Sequence, residues 1–395
     1  MKPCYSECAV AKTKALLTIL VIAFNLLLLA AACGGEKENP FGLKSEVVIP
    51  AERPIALAFA PDGRLFYAEQ STGNIRVVSP DGDLQADPFA HIDVALYIDW
   101  GLTGLALDPD FEENHYVYAF YSQPIQPEGP TARPMVVRFT DENNLGVDRK
   151  IIVADLPVTI PDHPGLNANG KIHFGPDGFL YVSLGAYDQP YKLPNHLAQD
   201  LSSPVGKLLR INKEDGGAAP NNPFANQSSA DPRIFAYGFN RAFDFTFRPQ
   251  TGQLYGTDNT ASCEELNLIK AGENYGWPDV GPFPFSDCAA GEQVKAIYFF
   301  AREGMKPGDF LSVVTVSGLA FVSAQVYPLL GDSLLVCEEE TKLMRRLVLS
   351  GPNFDQAGDD GVVIEDCQMD ITVDPDGTVY YSNEKEIRRL VQISK

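Results

Sequence analysis

An all-β fold, a six-bladed β-propeller, is predicted by two observations: one turn phrase recurs six times, and its copies stand about one blade apart. The phrase is clearest as "FGPDGFLYV" around Pro176. It recurs as "FAPDGRLFY" at Pro61, "LDPDFEENHYVYAF" at Pro109, "FRPQTGQLYG" at Pro249, "VYPLLGDSLLV" at Pro328 and "VDPDGTVYYS" at Pro375. In each copy a short apolar strand enters a turn, where Pro presets φ at the first corner and Asp or Gly suits the later ones. A strand alternating with period 2 then begins. The Pro-to-Pro spacings are 48, 67, 73, 79 and 47 residues. A four-stranded blade needs roughly 40–50 residues, so the excess goes into insertions, the largest expected between Ala186 and Arg233. A β-sandwich would also give many short strands, but it would not repeat one turn phrase six times. Residues 45–395 are therefore expected to form one propeller, closed by an N-terminal strand near Val47 to Ile49, because closure removes exposed sheet edges. The segment "GKIHF" runs into a blade turn, which makes it an innermost strand and sets Asn167 over the mouth of the central channel.

The first 32 residues differ in kind. Lys2, Lys12 and Lys14 precede an apolar run from Ala15 to Ala32, and "AAACGG" follows. A basic start, an apolar middle and small residues at the end make an export signal. Cys33 at the cleavage point adds a lipoprotein pattern, with residues 33–44 as lipidated Cys and tether. An uncleaved membrane helix is the alternative, since 18 residues just reach spanning length. The expected location is a bacterial cell envelope, facing the periplasm or the outside, with the lipid as the one membrane contact. The whole chain carries 31 basic and 52 acidic residues, a net charge of −21. That surface repels phosphate backbones and excludes nucleic acid as a partner; it suits a monomer. Of seven Cys, Cys263, Cys288, Cys337 and Cys367 remain after the leader and the lipid site. Outside the cytoplasm an even count favours disulfides, and sequence proximity favours 263–288 and 337–367 among the three pairings.

Several phrases, in blade order, resemble the glucose/sorbosone dehydrogenase family, the aldose dehydrogenases that use pyrroloquinoline quinone (PQQ). They are "GLTGLALDPDFEENHYVYAFY", "AQDLSSPVGKLLRIN", "YGFNRAFDFTFRPQTGQLYGTDN" with "EELNLIKAGENYGWP", and "SGLAFVSAQVYPLLGDSLLV". The resemblance implies a PQQ pocket, a Ca²⁺ site and a His base, and this chain departs from several of those positions. The family pattern H-x-G-G-[RK]-[IL]-x-F-G-P-D-G puts Asn167 where the base stands, and an amide has no titrating nitrogen near neutral pH. His163, four residues upstream, is the substitute base to consider, against an exposed loop His. The pocket positions implied are Asp99, Asn240, Arg241, Glu340, Cys367 and Met369. Asn240 and Arg241 stand in swapped order against the family's "YGxRNP". Glu340 falls on a cofactor Lys, Cys367 and Met369 on the two Arg of "RxRDV", and Ala186 on an Asp. At about 4 Å and an effective dielectric near 20, a Lys–carboxylate pair gains roughly 4 kcal/mol and a Glu there costs about as much. These departures argue against PQQ, which carries three carboxylates.

The resemblance also implies Ca²⁺ held by Asp258, Glu264, Glu265 and Tyr275, since hard oxygen ligands suit that ion; the alternative is a merely solvated acidic loop. His91, His115, His173 and His196 read as structural, with His173 able to face the channel. Two readings of function follow. One is a non-catalytic propeller binding a small saccharide or a protein; the other is an active PQQ-dependent aldose dehydrogenase. A Ca²⁺-dependent lactonase-like hydrolase ranks behind both, because no ring of channel-facing ligands is visible. Fold alone cannot choose among them.

Overall fold

The computed structural model describes residues 39–393, apart from 98, 126–130, 160–167, 169, 188–195, 261–262, 279–287, 289–293 and 310–311. The leader, Cys33, His163 and Asn167 lie outside the described residues. From Leu43 onward the chain forms one compact unit.

Six four-stranded antiparallel sheets make the expected propeller. The chain begins with β1 (Leu43–Pro50), then builds the first blade from β2 (Pro54–Phe59), β3 (Leu65–Glu69), β4 (Asn74–Val78) and β5 (Ala90–His91). The second holds β6 (Leu102–Leu107), β7 (Tyr116–Pro124), β8 (Ala132–Glu142) and β9 (Leu145–Val153), with a one-turn helix α1 (Phe111–Asn114) between its first two strands. The third holds β10 (Ile172–Phe174), β11 (Leu180–Leu184), β12 (Lys207–Ile211) and β13 (Ile234–Tyr237); the fourth holds β14 (Phe245–Phe247), β15 (Leu254–Asp258), β16 (Glu264–Ile269) and β17 (Tyr298–Phe300). The fifth holds β18 (Val316–Val322), β19 (Ser333–Glu338), β20 (Leu343–Ser350) and β21 (Gln356–Glu365); the sixth holds β22 (Ile371–Val373), β23 (Val379–Ser382) and β24 (Glu386–Gln392). Strand β1 completes the sixth blade by pairing with β24 from Leu43↔Gln392 to Pro50↔Glu386, with a bulge between Val47 and Ile49. The two ends of the propeller thus share one sheet, and the ring has no open blade.

Each repeated phrase joins a blade's innermost strand to its second strand. In the third blade the Gly175 amide bonds the Phe179 carbonyl at 2.9 Å, and Gly178 takes φ 78°. The sixth repeats this through Asp374 and Thr378, with Gly377 at φ 87°. A Cβ is strained there, so these two copies need Gly at that place. The expected insertion from Ala186 to Arg233 is not one loop. Strand β12 divides it, because "KLLRI" alternates and pairs along the whole of β11, from Leu180↔Ile211 to Leu184↔Lys207.

Inner strands of neighbouring blades approach closely. A Cβ on Gly318 would lie 2.9 Å from the Asp370 backbone, and one on Gly104 would lie 3.1 Å from the Ile172 amide. Near the start of five inner strands stand Thr103, Lys171, Asp244, Ser317 and Asp370, all buried. They form a polar ring in an otherwise apolar core. Buried polar groups must be paired, and here the pairing links blades. Asp370 accepts the Leu57 amide of the first blade at 2.7 Å and pairs with Lys171 of the third at 3.1 Å. Lys171 also donates to the Ile55 carbonyl. Asp244 accepts the Leu319 amide of the fifth blade at 3.2 Å and meets His173 Nε2 at 2.8 Å.

Candidate functional site

The residues just ahead of the inner strands gather at one mouth of the channel, here called the upper mouth. Arg241 leads toward β14 and Asp99 toward β6. The backbone amides of Asn240 and Arg241 both donate to the Asp258 carboxylate, at 2.9 and 2.6 Å. That clamp aims the Arg241 guanidinium across the mouth, where Nη2 meets Asp99 Oδ1 at 2.8 Å. Beside it, Arg53 bonds Gln70 Oε1 at 3.1 Å and Glu384 Oε1 at 2.7 Å, and stands 4.0 Å from Glu339 Oε1. Gln70 holds the floor of this corner: its side chain donates to the Trp100 carbonyl at 3.0 Å, and its own carbonyl lies 2.2 Å from where a Gly101 Cβ would be. Only Gly fits so close an approach. Burial raises the Glu339 carboxyl above the usual range; Arg241 and Arg53 pull it back and Asp99 adds to the rise. Phe243, 5.0 Å from the Arg241 guanidinium and 5.9 Å from Lys171 Nζ, separates this cluster from the polar ring below.

Most of the cofactor positions implied by the sequence do not converge on this mouth. Glu340 is on the surface, 54% exposed and 3.2 Å from Arg302. The carboxylate that faces the two arginines is Glu339, one residue earlier, because neighbouring side chains leaving a strand point to opposite sides. Cys367 is bonded to Cys337, with Cα atoms 5.1 Å apart, and Cys263 to Cys288 at 5.5 Å. Both expected bridges are present. Met369 is fully buried in the cluster that contains Ile55, Leu102 and Phe243. Asn240 is buried beside the Asp258 clamp, and Ala186 packs with Cys263 and Trp277.

Three of the four implied calcium ligands bond backbone groups, and the fourth, Glu265, accepts from Asn267 Nδ2 at 3.2 Å. Asp258 holds the two amides just described. Glu264 accepts the Val314 amide at 2.5 Å and the Thr315 amide at 2.9 Å. Asp258 and Glu265 are cross-strand partners, so Glu264 points to the other face of the sheet. Burial and the neighbouring Asp258 push the Glu265 carboxyl up to about 8. The Tyr275 hydroxyl donates to the Leu268 carbonyl and accepts the Lys270 amide, both at 2.9 Å. Among the described residues, no group of three or more His, Cys, Asp or Glu is arranged to hold a metal. Asp258 and Glu265 share a face of the sheet while Glu264 points away, so the described residues do not assemble the implied set of four.

Nor do the described residues fit a tricarboxylate. Arg241 and Arg53 are already paired, and Asp99, Glu339 and Glu384 crowd the same mouth. A further anion would meet committed cations and free repulsion. Sequence matching passed over the residues that organise the centre, although a signal was there. Lys171 stands at the [RK] of the base-strand pattern, and Asp370 at the Asp of "RxRDV". His173, expected to be simply hydrogen-bonded, has Asp244 as its partner.

A six-bladed propeller with its polar cluster at the inner-strand entrances is the class this fold and site define. The chain belongs to the Glucose / Sorbosone dehydrogenase family, whose model matches residues 51–392. It is 24% identical to the aldose sugar dehydrogenase YliI of Escherichia coli over 359 residues, 87% of this chain and 90% of that one. The crystal structure of the E. coli soluble aldose sugar dehydrogenase in the apo-form superposes with a TM-score of 0.72 at 22% identity, covering 89% of this chain and 99% of that one. The human Hedgehog-interacting protein is 27% identical over 224 residues, 51% of this chain and 31% of its own length. The disulfides suit an oxidising compartment.

Proposed function

We propose that this is an exported, lipid-anchored propeller of the family that has left PQQ chemistry and binds a neutral saccharide or a protein ligand at its upper mouth. The observation that carries the reading is Cys367. A position where the family resemblance implies a cofactor-binding Arg is bonded to Cys337. Three further features support it. Met369, at the second implied Arg, lies in the apolar core. Arg241 is neutralised by Asp99 at 2.8 Å. Asn167 replaces the base. The similarity to the Hedgehog-interacting protein supports a non-enzymatic role for such a scaffold. The rival reading, an active PQQ-dependent aldose dehydrogenase, draws on the near full-length similarity to the E. coli aldose sugar dehydrogenase.

The lipid anchor rests on Cys33 and the preceding leader pattern. The purified protein is incubated with PQQ, with and without Ca²⁺, and assayed for glucose oxidation with a dye acceptor. The proposal expects neither quinone binding nor dye reduction. Turnover in the wild-type protein would decide for the dehydrogenase.

A further inference from the structure

One carboxylate of the chain already stands where the carboxylate of a ligand would at the upper mouth. Asp258 accepts the Asn240 and Arg241 amides at 2.9 and 2.6 Å, which fixes the backbone that carries the Arg241 side chain. The guanidinium lies 5.0 Å from the Phe243 ring centre, and its Nε is buried without a hydrogen-bond partner. Only the Nη edge is left for a ligand. Asp99 Oδ1 sits on that edge, 2.8 Å from Nη2. An Arg fork is the side chain best matched to a carboxylate. Here the match is made inside the chain, between the entrances of the second and fourth blades.

The surroundings make this pair the strongest lever on the charge of the mouth. The Arg241 and Asp99 side chains are 16% and 10% exposed, so salt and water screen them weakly. Their field reaches a third group: the Glu339 carboxyl is pulled down by Arg241 and pushed up by Asp99. Arg53 is shared between Gln70 and Glu384, and both it and Glu384 are far more exposed. Charge changes at such a rim pair count for little.

We propose that Asp99 sets the charge selectivity of the upper mouth. It occupies Arg241 as an internal stand-in for a ligand carboxylate, so the mouth admits neutral ligands and turns carboxylates away. The inference rests on the reading above, that the upper mouth is a ligand site closed to anions.

The test compares benzoate binding to purified wild-type protein, Asp99→Ala, Asp99→Asn and Glu384→Gln by calorimetry, with melting curves to show that each is folded. Asp99→Ala is expected to bind benzoate roughly tenfold or more tightly than wild type, the gain that one hydrogen bond to a freed cation allows. Asp99→Asn keeps an acceptor for Nη2 and removes only the charge. Its gain should be smaller, and it carries the test if the Ala variant does not fold. Glu384→Gln takes one negative charge from the same mouth and should gain nothing comparable. Adding Arg241→Gln to Asp99→Ala should erase the gain. A pair that only braces the two blades would lower the melting temperature without creating benzoate binding. That result, an equal gain in Glu384→Gln, or a gain that survives without Arg241 would each overturn the proposal. Tight PQQ binding by the wild-type protein would instead sink the reading beneath it, and the benzoate comparison would still decide the role of Asp99.

Discussion

Asp370→Asn probes the centre of the ring most sharply. The amide keeps an acceptor for the Leu57 N–H, which Asp370 now accepts at 2.7 Å, and removes only the charge. Lys171 Nζ lies 3.1 Å from Asp370 and both side chains are almost fully buried. At an effective dielectric near 20 their attraction is about 5 kcal/mol before desolvation is counted. Breaking a buried pair from one side typically costs about 3–5 kcal/mol, because the surviving charge is stranded. Asp370→Asn should therefore lose about that much stability, with Lys171 left uncompensated. Lys171→Met should cost clearly less. Burial already pushes the Asp370 carboxyl up to about 6, with Lys171 as the main influence lowering it. Without Lys171 the carboxyl takes a proton at neutral pH and strands no charge. Guanidinium unfolding followed by tryptophan fluorescence gives both values, provided the m-values are unchanged. A loss below about 1 kcal/mol for Asp370→Asn, or a larger loss for Lys171→Met, would refute the reasoning.

Acid should stabilise this protein over part of the range. Burial raises the carboxyls of Glu264 to about 7, Glu265 to about 8 and Asp370 to about 6 in the folded chain. The folded state then holds more protons than the unfolded one between the ordinary carboxyl range and these values, so stability falls as pH rises across that window. Melting curves from pH 5 to 7 should show the decline, and Glu265→Gln should flatten it. Above that range Lys207, lowered to about 7 by burial, gives an opposing rise. A wild-type melting temperature that climbs from pH 5 to 7 would contradict the reasoning. Replacing Cys337 and Cys367 by Ser opens a 30-residue loop and should cost about 3–4 kcal/mol in the chain-entropy account; a loss near zero on denaturant unfolding would mean the bridge is dispensable. Cys33→Ala should release the protein from membranes and abolish fatty-acid labelling; a variant that remains in the membrane fraction would indicate an uncleaved helix instead.

The scaffold was legible because its signal is local and repeated. A Pro–Asp–Gly turn needs its own residues whatever surrounds it, so six copies announce six blades, and the N-terminal strand near Val47 follows from closing them. The disulfides were legible from compartment and proximity. The site was legible only in part. Glu339 and Glu340 are neighbours, and which one faces the mouth depends on how the chain leaves β19, a detail that motif matching cannot resolve. Glu264 and Glu265 point to opposite faces for the same reason. The Lys171–Asp370 pair joins residues almost two hundred positions apart, and neither partner in isolation signals a buried charge. What marked them was their place in two family patterns, where the departures at Asn167, Cys367 and Met369 drew attention away from the residues retained. The structure also narrows any attempt at restoration. Cys367→Arg would break a bridge and Met369→Arg would place a cation among Ile55, Leu102 and Phe243, so reinstating the implied cations would cost stability before it gained affinity.

The central claim is that the upper mouth no longer accepts an anionic quinone, and a direct binding titration tests it without relying on turnover. PQQ is added to the purified wild-type protein, with Ca²⁺ present, and binding is followed by calorimetry. With Arg241 held by Asp99 at 2.8 Å and Glu339 beside it, the account predicts no saturable heat at micromolar quinone. Stoichiometric binding at micromolar or tighter affinity would contradict it, whether or not glucose is then oxidised.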